Sequence, residues 1–309
     1  ELDFSKESDV AGFLGVLLTT REDGSIELTQ TGLIDRIISA MGLDAANIVM
    51  TPAEYGGLPK NLQGGEAQAT WNYQSGLGMM LYLCNTRPEI QFSVSQCARF
   101  TAHPKQSHEV ALKRIGRYLK GTRERGLVLN PADSLELELF VDADFAGLHG
   151  YEDPDDPSSV KSRTGYVICI AKCPVLWVSR LQTETALSTM MAEYIALSTA
   201  MRDLIPLKRI AEELCSHMGL SDDKVGIIRT NTVVHEDNNG ALTLAQLSPG
   251  RSTPTSKFFN VKYHWFREQL GPQQIKIVKV ASDEQLGDIF TKGLRKDKFL
   301  EMRLKLCGW

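Results

Sequence analysis

The sequence predicts an α/β fold with a mixed sheet flanked by helices, and two patterns support this. Apolar and polar residues alternate strictly over 135–141, which is typical of an amphipathic strand. Strands and helices then alternate along the chain, an order that favours helices packed on a sheet. The segments that follow are predicted strands at 164–170 and 175–179, a helix at 191–217, a strand at 232–235, helices at 240–247 and 258–270, a strand at 275–280 and a helix from 283.

A smaller α+β region is predicted before this sheet. Two apolar runs, 11–18 and 26–29, flank a polar Asp-Gly turn and indicate a β-hairpin. Apolar residues at helical spacing follow from Thr31 to Met41, and Gly42 ends that helix. Three more helices are predicted, at about 72–84, 88–101 and 106–120, the last of them basic and amphipathic.

We place a domain boundary at the turn Asn130-Pro131-Ala132-Asp133. A chain of 309 residues with 42% hydrophobic content can bury one large core or two ordinary ones. The predicted units are a first domain over 1–130, a second over 134–294 and a basic C-terminal tail over 295–309.

Composition restricts the class of protein. No apolar run approaches the roughly 18 residues that a membrane helix needs, so a soluble, intracellular protein without a membrane partner is expected. The six cysteines are scattered and lack the spacing of a zinc site, which indicates buried thiols. The net charge of -4 argues against simple coating of nucleic acid, although basic and acidic residues are segregated along the chain.

Four carboxylates stand where the predicted sheet and helices meet. Asp142 and Asp237 each follow a strand, and Glu193 lies in the first turn of a helix. Asp288 lies among apolar residues of a helical segment, where burial of an unpaired charge is costly. Two Mg²⁺ ions about 4 Å apart, with Mn²⁺ as a substitute, would neutralise such a group. Taken singly, each acid is more typical of a structural role, Asp237 as a helix cap for example, but four acids in this strand, helix, strand, helix order are hard to obtain by accident.

Several motifs resemble the ribonuclease H domain of copia-type retrotransposon polyproteins in order and spacing. The clearest are Val141-Asp142-Ala143-Asp144, Lys161-Ser162-Arg163-Thr164-Gly165-Tyr166, Ala192-Glu193-Tyr194, Asp237-Asn238 and Asp288-Ile289-Phe290-Thr291-Lys292. The resemblance implies a ribonuclease H-like fold in which Asp142, Glu193, Asp237 and Asp288 are catalytic and hold the metal ions. Whether Asp144 faces the metals or the surface stays open.

The first 130 residues resemble the end of the reverse transcriptase in the same polyproteins, with palm end, thumb and connection. The motifs are Leu28-Thr29-Gln30, Thr86-Arg87-Pro88-Glu89-Ile90 and Arg117-Tyr118-Leu119-Lys120-Gly121-Thr122. Paired aspartates after an aromatic-Val dipeptide are missing, so no polymerase activity is expected. The sequence also departs from the family pattern at Met191, Phe258 and Gly287.

Seven further residues are candidates for nucleic-acid contact. Lys113, Arg114, Arg117 and Lys120 lie on one face of a predicted helix, which is either a phosphate-binding face or a solvated one. Arg163 and Gln182 are candidates for contact with the 2′-hydroxyls of RNA. Asn238 is either a hybrid contact or a helix cap.

Two functions of different classes remain. One is an endonuclease that hydrolyses the RNA strand of an RNA–DNA hybrid by two-metal catalysis. The other is a non-catalytic hybrid-binding or structural remnant of a retrotransposon polymerase. The resemblance implies the rest of the polyprotein as a further partner, and a location in the cytoplasm or within virus-like particles.

Overall fold

The computed structural model describes residues 12–68, 70–151, 156–253, 256 and 261–309. The first half contains an antiparallel four-stranded sheet in the order β1-β2-β3-β4. Its strands are β1 (Gly12–Phe13), β2 (Val16–Thr20), β3 (Ile26–Thr29) and β4 (Leu127–Leu129). The predicted hairpin is present as β2 and β3. The sequence did not indicate β4, which pairs with β3 across about a hundred residues of chain.

Two turns set the shape of this sheet. Gly24 has φ +83° and closes the hairpin, where the backbone N–H of Arg21 donates to the carbonyl of Ser25 at 2.8 Å. Leu14 and Gly15 also have positive φ, so the predicted first strand is split into β1 and β2. Glycine adopts this left-handed region without the steric penalty of other residues.

Four helices pack beside the first sheet. They are α1 (Thr31–Ala40), α2 (Tyr73–Leu83), α3 (Gln91–Ala98) and α4 (Gln106–Gly121). The predicted helix at 88–101 is a 3-10 turn at Pro88–Ile90 followed by α3. Asn72 caps α2, since its side chain accepts a hydrogen bond from the backbone N–H of Ser75. The predicted positions of these helices agree with the structure to within about three residues.

The second half contains the predicted mixed sheet, with strand order β7-β6-β5-β8-β9. The strands are β5 (Leu137–Asp144), β6 (Arg163–Ile170), β7 (Cys173–Leu181), β8 (Thr232–Glu236) and β9 (Ile275–Lys279). β5, β6 and β7 are antiparallel, whereas β5, β8 and β9 run parallel. β5 is therefore the central strand, and its carboxyl end lies beside that of β8.

The described part of the second half contains five α-helices. They are α5 (Thr189–His217), α6 (Asp222–Thr230), α7 (Asn239–Gln246), α8 (Arg267–Leu270) and α9 (Lys296–Cys307). The sequence did not indicate α6, whose first two residues are an Asp-Asp pair expected in a loop. The predicted helix at 258–270 is a 3-10 turn at Val261–Tyr263 and then α8, with 258–260 outside the described residues.

The predicted final helix from residue 283 is divided in two. A 3-10 helix spans Leu286–Phe290, and α9 begins only at Lys296. The chain turns between them at Gly293, where a Cβ atom would lie 2.2 Å from the carbonyl oxygen of Glu54. This close approach requires glycine at that position.

Two apolar cores hold the protein together. One lies between β5, β6 and α5, with Val141, Tyr166 and Tyr194 among its buried members. The other joins α1, α2 and α4 to the opposite face of the second sheet through Val167 and Cys169. Phe299, Met302 and Leu306 of α9 belong to this second core, so residues 295–309 pack against the body of the protein. The predicted division into domains stays a prediction. Apolar packing extends across its boundary at residue 130.

Within the described residues, no helix combines the length and the apolar composition needed to cross a bilayer. All six cysteines are free thiols, and all except Cys215 are buried.

Candidate metal centre

Three predicted acids converge where the central strands of the second sheet end. Asp142 lies near the end of β5 with 3% of its surface exposed, and Asp237 directly follows β8. Because β5 and β8 are parallel neighbours, their carboxyl ends meet at one edge of the sheet. Glu193 reaches the same edge from α5. One carboxylate oxygen from each residue lies within 4.8 Å of the others.

Asp288 approaches this group from the 3-10 helix. It lies outside the close group of three acids but near Asp142, whose charge raises the pKa of Asp288. Lys292 links the two acids, since its Nζ lies 2.7 Å from Asp288 Oδ1 and 3.7 Å from Asp142 Oδ2. Thr291 also donates a hydrogen bond to Asp142. The four acids are therefore brought together, with a lysine beside the fourth. We refer to Asp142, Glu193, Asp237, Asp288 and the adjacent Glu236 as the acidic cluster.

Two glycines allow the 3-10 helix to lie so close to the sheet. A Cβ on Gly287 would lie 2.9 Å from both the Cβ and the backbone N of Asp142. A Cβ on Gly165, which pairs with Asp142 across β5 and β6, would lie 2.6 Å from Thr291 Cγ2. Gly287 departs from the family pattern, and local packing explains the glycine, because a Cβ atom at this position would clash with Asp142.

Gln285 fixes the position of the 3-10 helix. Its Nε2 donates to the carbonyl of Val141 at 2.9 Å and to that of His235 at 3.3 Å. Its Oε1 accepts from the backbone N–H of Gly287 at 3.1 Å. One fully buried amide therefore joins β5, β8 and the segment that carries Asp288. The sequence pattern gave no signal for this role.

Glu236, the last residue of β8, is a fifth carboxylate that the sequence analysis missed. It is fully buried, and its Oε1 accepts from the backbone N–H of Asn238 at 3.0 Å. Burial raises the pKa of Glu236 to about 8, helped by the charges of Asp237 and Asp142. Among the described residues, no hydrogen-bond donor meets its Oε2 or the Oε2 of Glu193.

Burial and repulsion from neighbouring acids also raise the pKa values of Asp142, Glu193 and Asp288. For Asp142, burial outweighs the opposing effects of Lys292 and Thr291. The pKa of Glu193 lies well above its ordinary value because of burial and then the charge of Asp142. Burial and Asp142 together raise the pKa of Asp288 to about 7. The cluster thus holds more negative charge than Lys292 alone balances.

This arrangement fits hard divalent cations. All of its side-chain ligand atoms are carboxylate oxygens, the donors that Mg²⁺ and Mn²⁺ prefer. The buried, unpaired oxygens of Glu193 and Glu236 face an excess of like charge, which a cation would relieve. Asp142, Glu193 and Asp237 are the residues placed to share such an ion.

The basic face of α4 packs against the loop after α1. Arg114 forms an ion pair with Glu54 at 3.1 Å, and Arg117 Nε donates to the carbonyl of Asn47 at 2.5 Å. Lys120 donates to the carbonyls of Asp44 and Ala46. Most of this predicted face is therefore engaged within the protein. Contact of Lys113, Arg114, Arg117 and Lys120 with nucleic acid stays a prediction.

The other three candidates also have internal partners. Arg163 donates to Ser95 and Ser179, at 2.8 and 3.2 Å, and so joins β6 to α3. Gln182 is buried, and its Nε2 donates to the carbonyl of Ala192 at 2.8 Å. Asn238 caps α7, accepting from the backbone N–H groups of residues 240 and 241. Their contacts with nucleic acid stay predictions as well.

Fold and site together define an α/β protein with a mixed five-stranded sheet and an acidic cluster at the carboxyl ends of its central strands. No family model matches the chain. The chain is 31% identical over 299 residues to the "Retrovirus-related Pol polyprotein from transposon TNT 1-94" of Nicotiana tabacum, covering 94% of this chain and 21% of that protein. It is 28% identical over 295 residues to the corresponding protein from transposon RE1 of Arabidopsis thaliana, covering 95% and 19%.

The chain is thus homologous to a segment of the Pol polyproteins of copia-type transposons, which confirms the resemblance inferred from its motifs. It spans about a fifth of the length of these relatives. Among solved structures, LC11-RNase H1, isolated from compost, aligns with a TM-score of 0.33 and 17% identity, over 49% of this chain and 88% of that one.

Proposed function

We propose that this protein hydrolyses the RNA strand of RNA–DNA hybrids as the ribonuclease H part of a retrotransposon polyprotein. The relatives that support this are named Pol polyproteins of transposons. The observation that carries the proposal is the convergence of Asp142, Glu193 and Asp237 within 4.8 Å, among buried oxygens without partners. No polymerase activity is proposed, because no pair of aspartates follows an aromatic-Val dipeptide in this sequence.

The protein's own residues have separable roles in this reaction. Asp142, held by Thr291 and nearly enclosed, is the central acid and adjoins the other acids. Asp237 is only half-buried and therefore faces the side from which a substrate can arrive. Gln285 and Gly287 keep Asp288 against the central strand. When bound, two divalent cations would activate water and stabilise the departing oxygen of a phosphodiester.

A specific contact favours the second candidate, a non-catalytic remnant that binds hybrids. Lys292 Nζ already lies between Asp288 and Asp142, where a second cation would be expected. If that ion pair persists in solution, the lysine neutralises the outer part of the cluster without metal. Such a protein would bind a hybrid and leave it intact.

Cleavage of a labelled RNA–DNA hybrid in Mg²⁺ separates the two candidates. The wild-type chain is compared with Asp142→Asn and with a matched control, Asp133→Asn, which removes an exposed carboxylate outside the acidic cluster. Double-stranded DNA serves as the substrate control. We expect cleavage of the RNA strand alone, reduced more than about 100-fold by Asp142→Asn, since even partners of metal ligands contribute 10- to 100-fold.

The opposite result is equally clear. Binding of the hybrid without cleavage in either Mg²⁺ or Mn²⁺ would contradict the enzymatic proposal and support the remnant. Equal activity of Asp142→Asn and Asp133→Asn would show that the cleavage does not come from this centre.

A further inference from the structure

A cleft of about 370 Å³ lies beside the acidic cluster, between the two halves of the protein. Its walls include Tyr55 and Phe92 from the first half and Asp144 and Lys161 from the second. The volume is within the range of about 300–1,000 Å³ usual for pockets that take small ligands. Because both halves form its walls, neither sequence segment alone indicated it.

Positive charge dominates the walls of this cleft. Its cationic residues are Lys161, Arg163, Lys292, Arg295 and Lys298, and its acidic residue is Asp144. Lys292 is paired with the acidic cluster, and Lys298 lies 3.3 Å from Glu301. Among the residues that the structure describes, Lys161 and Arg295 have no acidic ion-pair partner. The cleft therefore carries a net positive charge that the protein leaves available to an anion.

Arg163 is a buried cation in the same wall, with only 3% of its surface exposed. Its hydrogen bonds go to neutral groups, including Ser95 and Gln96, at 2.8 and 3.2 Å. Burial and the nearby Arg99 lower its pKa to about 9, against the effect of Asp144. Burial of a charge without an opposite charge in contact is costly. An anion in the cleft would offset that cost.

Aromatic rings stand next to these cations. Tyr55 is 70% exposed and Tyr151 is 53% exposed, so both rings are open to solvent at the cleft. The guanidinium of Arg295 lies 5.3 Å from the centre of the Tyr55 ring. Exposed aromatic rings beside basic side chains are the combination by which proteins bind single-stranded nucleic acid, through base stacking and phosphate contact.

We propose that this cleft binds one nucleotide of an unpaired nucleic-acid strand next to the acidic cluster. Lys161 and Arg295 contact its phosphate, and its base stacks on Tyr55. The identification of the ligand as nucleic acid rests on the proposed function. Lys292 makes the two sites continuous, because it lines the cleft and its Nζ also lies 2.7 Å from Asp288 Oδ1. A strand end leaving a hybrid bound at the acids would reach the cleft directly.

Binding of a fluorescently labelled single-stranded oligonucleotide of about ten nucleotides tests this proposal. Fluorescence anisotropy is measured with the whole chain in EDTA, so that hydrolysis cannot contribute. We expect Lys161→Ala and Arg295→Ala each to weaken binding about tenfold, the effect of losing a charged hydrogen bond. Each variant should also reduce the slope of log affinity against log salt concentration by about one, which corresponds to the loss of one phosphate contact.

Neighbouring variants supply matched controls. Lys296→Ala removes the same charge one residue after Arg295, from an exposed position outside the cleft wall, and should bind as the wild type does. Tyr55→Phe keeps the ring and should retain affinity, whereas Tyr55→Ser should lose roughly fivefold or more. Thermal melting of each variant verifies that it is folded.

Equal affinities of Lys161→Ala, Arg295→Ala and Lys296→Ala would overturn the proposal. Inorganic phosphate or a free mononucleotide that binds at these residues while the oligonucleotide does not would also overturn it, and would assign the cleft to a free anion. Failure of the hydrolysis experiment is distinguishable, since it leaves binding in EDTA unchanged.

Discussion

Each half of the protein contains a buried cluster of charge, and the two clusters differ in balance. In the first half, Arg87 is 1% exposed and its Nε lies 2.6 Å from Glu89 Oε1. Its other nitrogens donate to Thr122 and to the carbonyl of Arg125, and its guanidinium lies 5.6 Å from the centre of the Tyr118 ring. In the second half, the acidic cluster has five carboxylates, and the lysine that pairs with two of them, Asp142 and Asp288, is 42% exposed.

The difference separates a structural role from a binding role. Burial lowers the pKa of Arg87, but the charge and the hydrogen bond of Glu89, together with Tyr118, raise it more, so the Arg87 guanidinium stays protonated. In the acidic cluster, burial raises the pKa values of Asp142, Glu193 and Asp288. A balanced pair becomes destabilising only when one partner is removed, whereas an unbalanced cluster destabilises the fold until a cation or a proton binds. The expected effects of the following changes run from largest to smallest.

Arg87→Met should produce the largest loss of stability. It leaves Glu89 buried without its cation, and breaking a buried ion pair costs about 3–5 kcal/mol. Urea unfolding followed by circular dichroism measures the change. The double variant Arg87→Met/Glu89→Leu should recover part of the loss, since it removes the unpaired charge. A loss below about 1 kcal/mol in the single variant would contradict a structural role for the pair.

The metal-free protein should lose stability as the pH rises from about 5 to 8. The folded-state pKa values of Asp288, about 7, and Glu236, about 8, lie above the ordinary values of 3.8 and 4.5. Protonation of these two groups therefore stabilises the folded protein fully at a pH below their unfolded-state pKa values. This stabilisation is lost as the pH rises through their folded-state pKa values. Each group contributes up to about 1.4 kcal/mol per pH unit within that window.

Addition of Mg²⁺ at pH 8 should restore the lost stability, because only the folded state assembles the site. Urea unfolding at a series of pH values, with and without Mg²⁺, measures both effects. Monovalent salt at the same ionic strength is the control and should restore much less. If the stability of the metal-free protein instead increased over this pH range, the acidic cluster would not hold an excess of negative charge.

Asp142→Asn should stabilise the metal-free protein at pH 8, although we expect it to abolish the proposed hydrolysis. The substitution removes one of several repelling buried charges, and its amide can donate to neighbouring carboxylates. A gain on the order of 1–3 kcal/mol is expected from the relief of an unsatisfied buried group. Differential scanning calorimetry in EDTA measures it against Asp133→Asn. If Asp142→Asn instead destabilised the metal-free protein, Asp142 would have a structural role like that of the Arg87–Glu89 pair.

Lys292→Met should have the smallest effect on stability and an informative effect on metal binding. Because the side chain of Lys292 is 42% exposed, its loss should cost the metal-free protein less than about 1 kcal/mol. Isothermal titration calorimetry should show tighter Mg²⁺ binding, since an ammonium no longer repels the ion. Weaker Mg²⁺ binding would mean that Lys292 supports the metal site rather than competing with it.

The acids of the candidate site were predictable because their motifs follow strands and start helices. Asp142, Glu193 and Asp237 stand at such positions, and the structure brings them together. Glu236 was not predicted because it occupies the last strand position, where a carboxylate usually points to solvent. Gln285 was not predicted because two of its three hydrogen-bond partners, Val141 and His235, come from distant segments.

The sequence by itself determined the five strands of the second half, its long helix α5, its α/β class and the candidate acids, because periodicity and motif order are local properties. Tertiary structure decided how charge is compensated. Lys292 beside Asp288, the join between the halves at Arg163 and the cleft wall at Tyr55 all depend on which segments meet. Burial and distance set the free energy of a charge, and both are fixed only when the chain has folded.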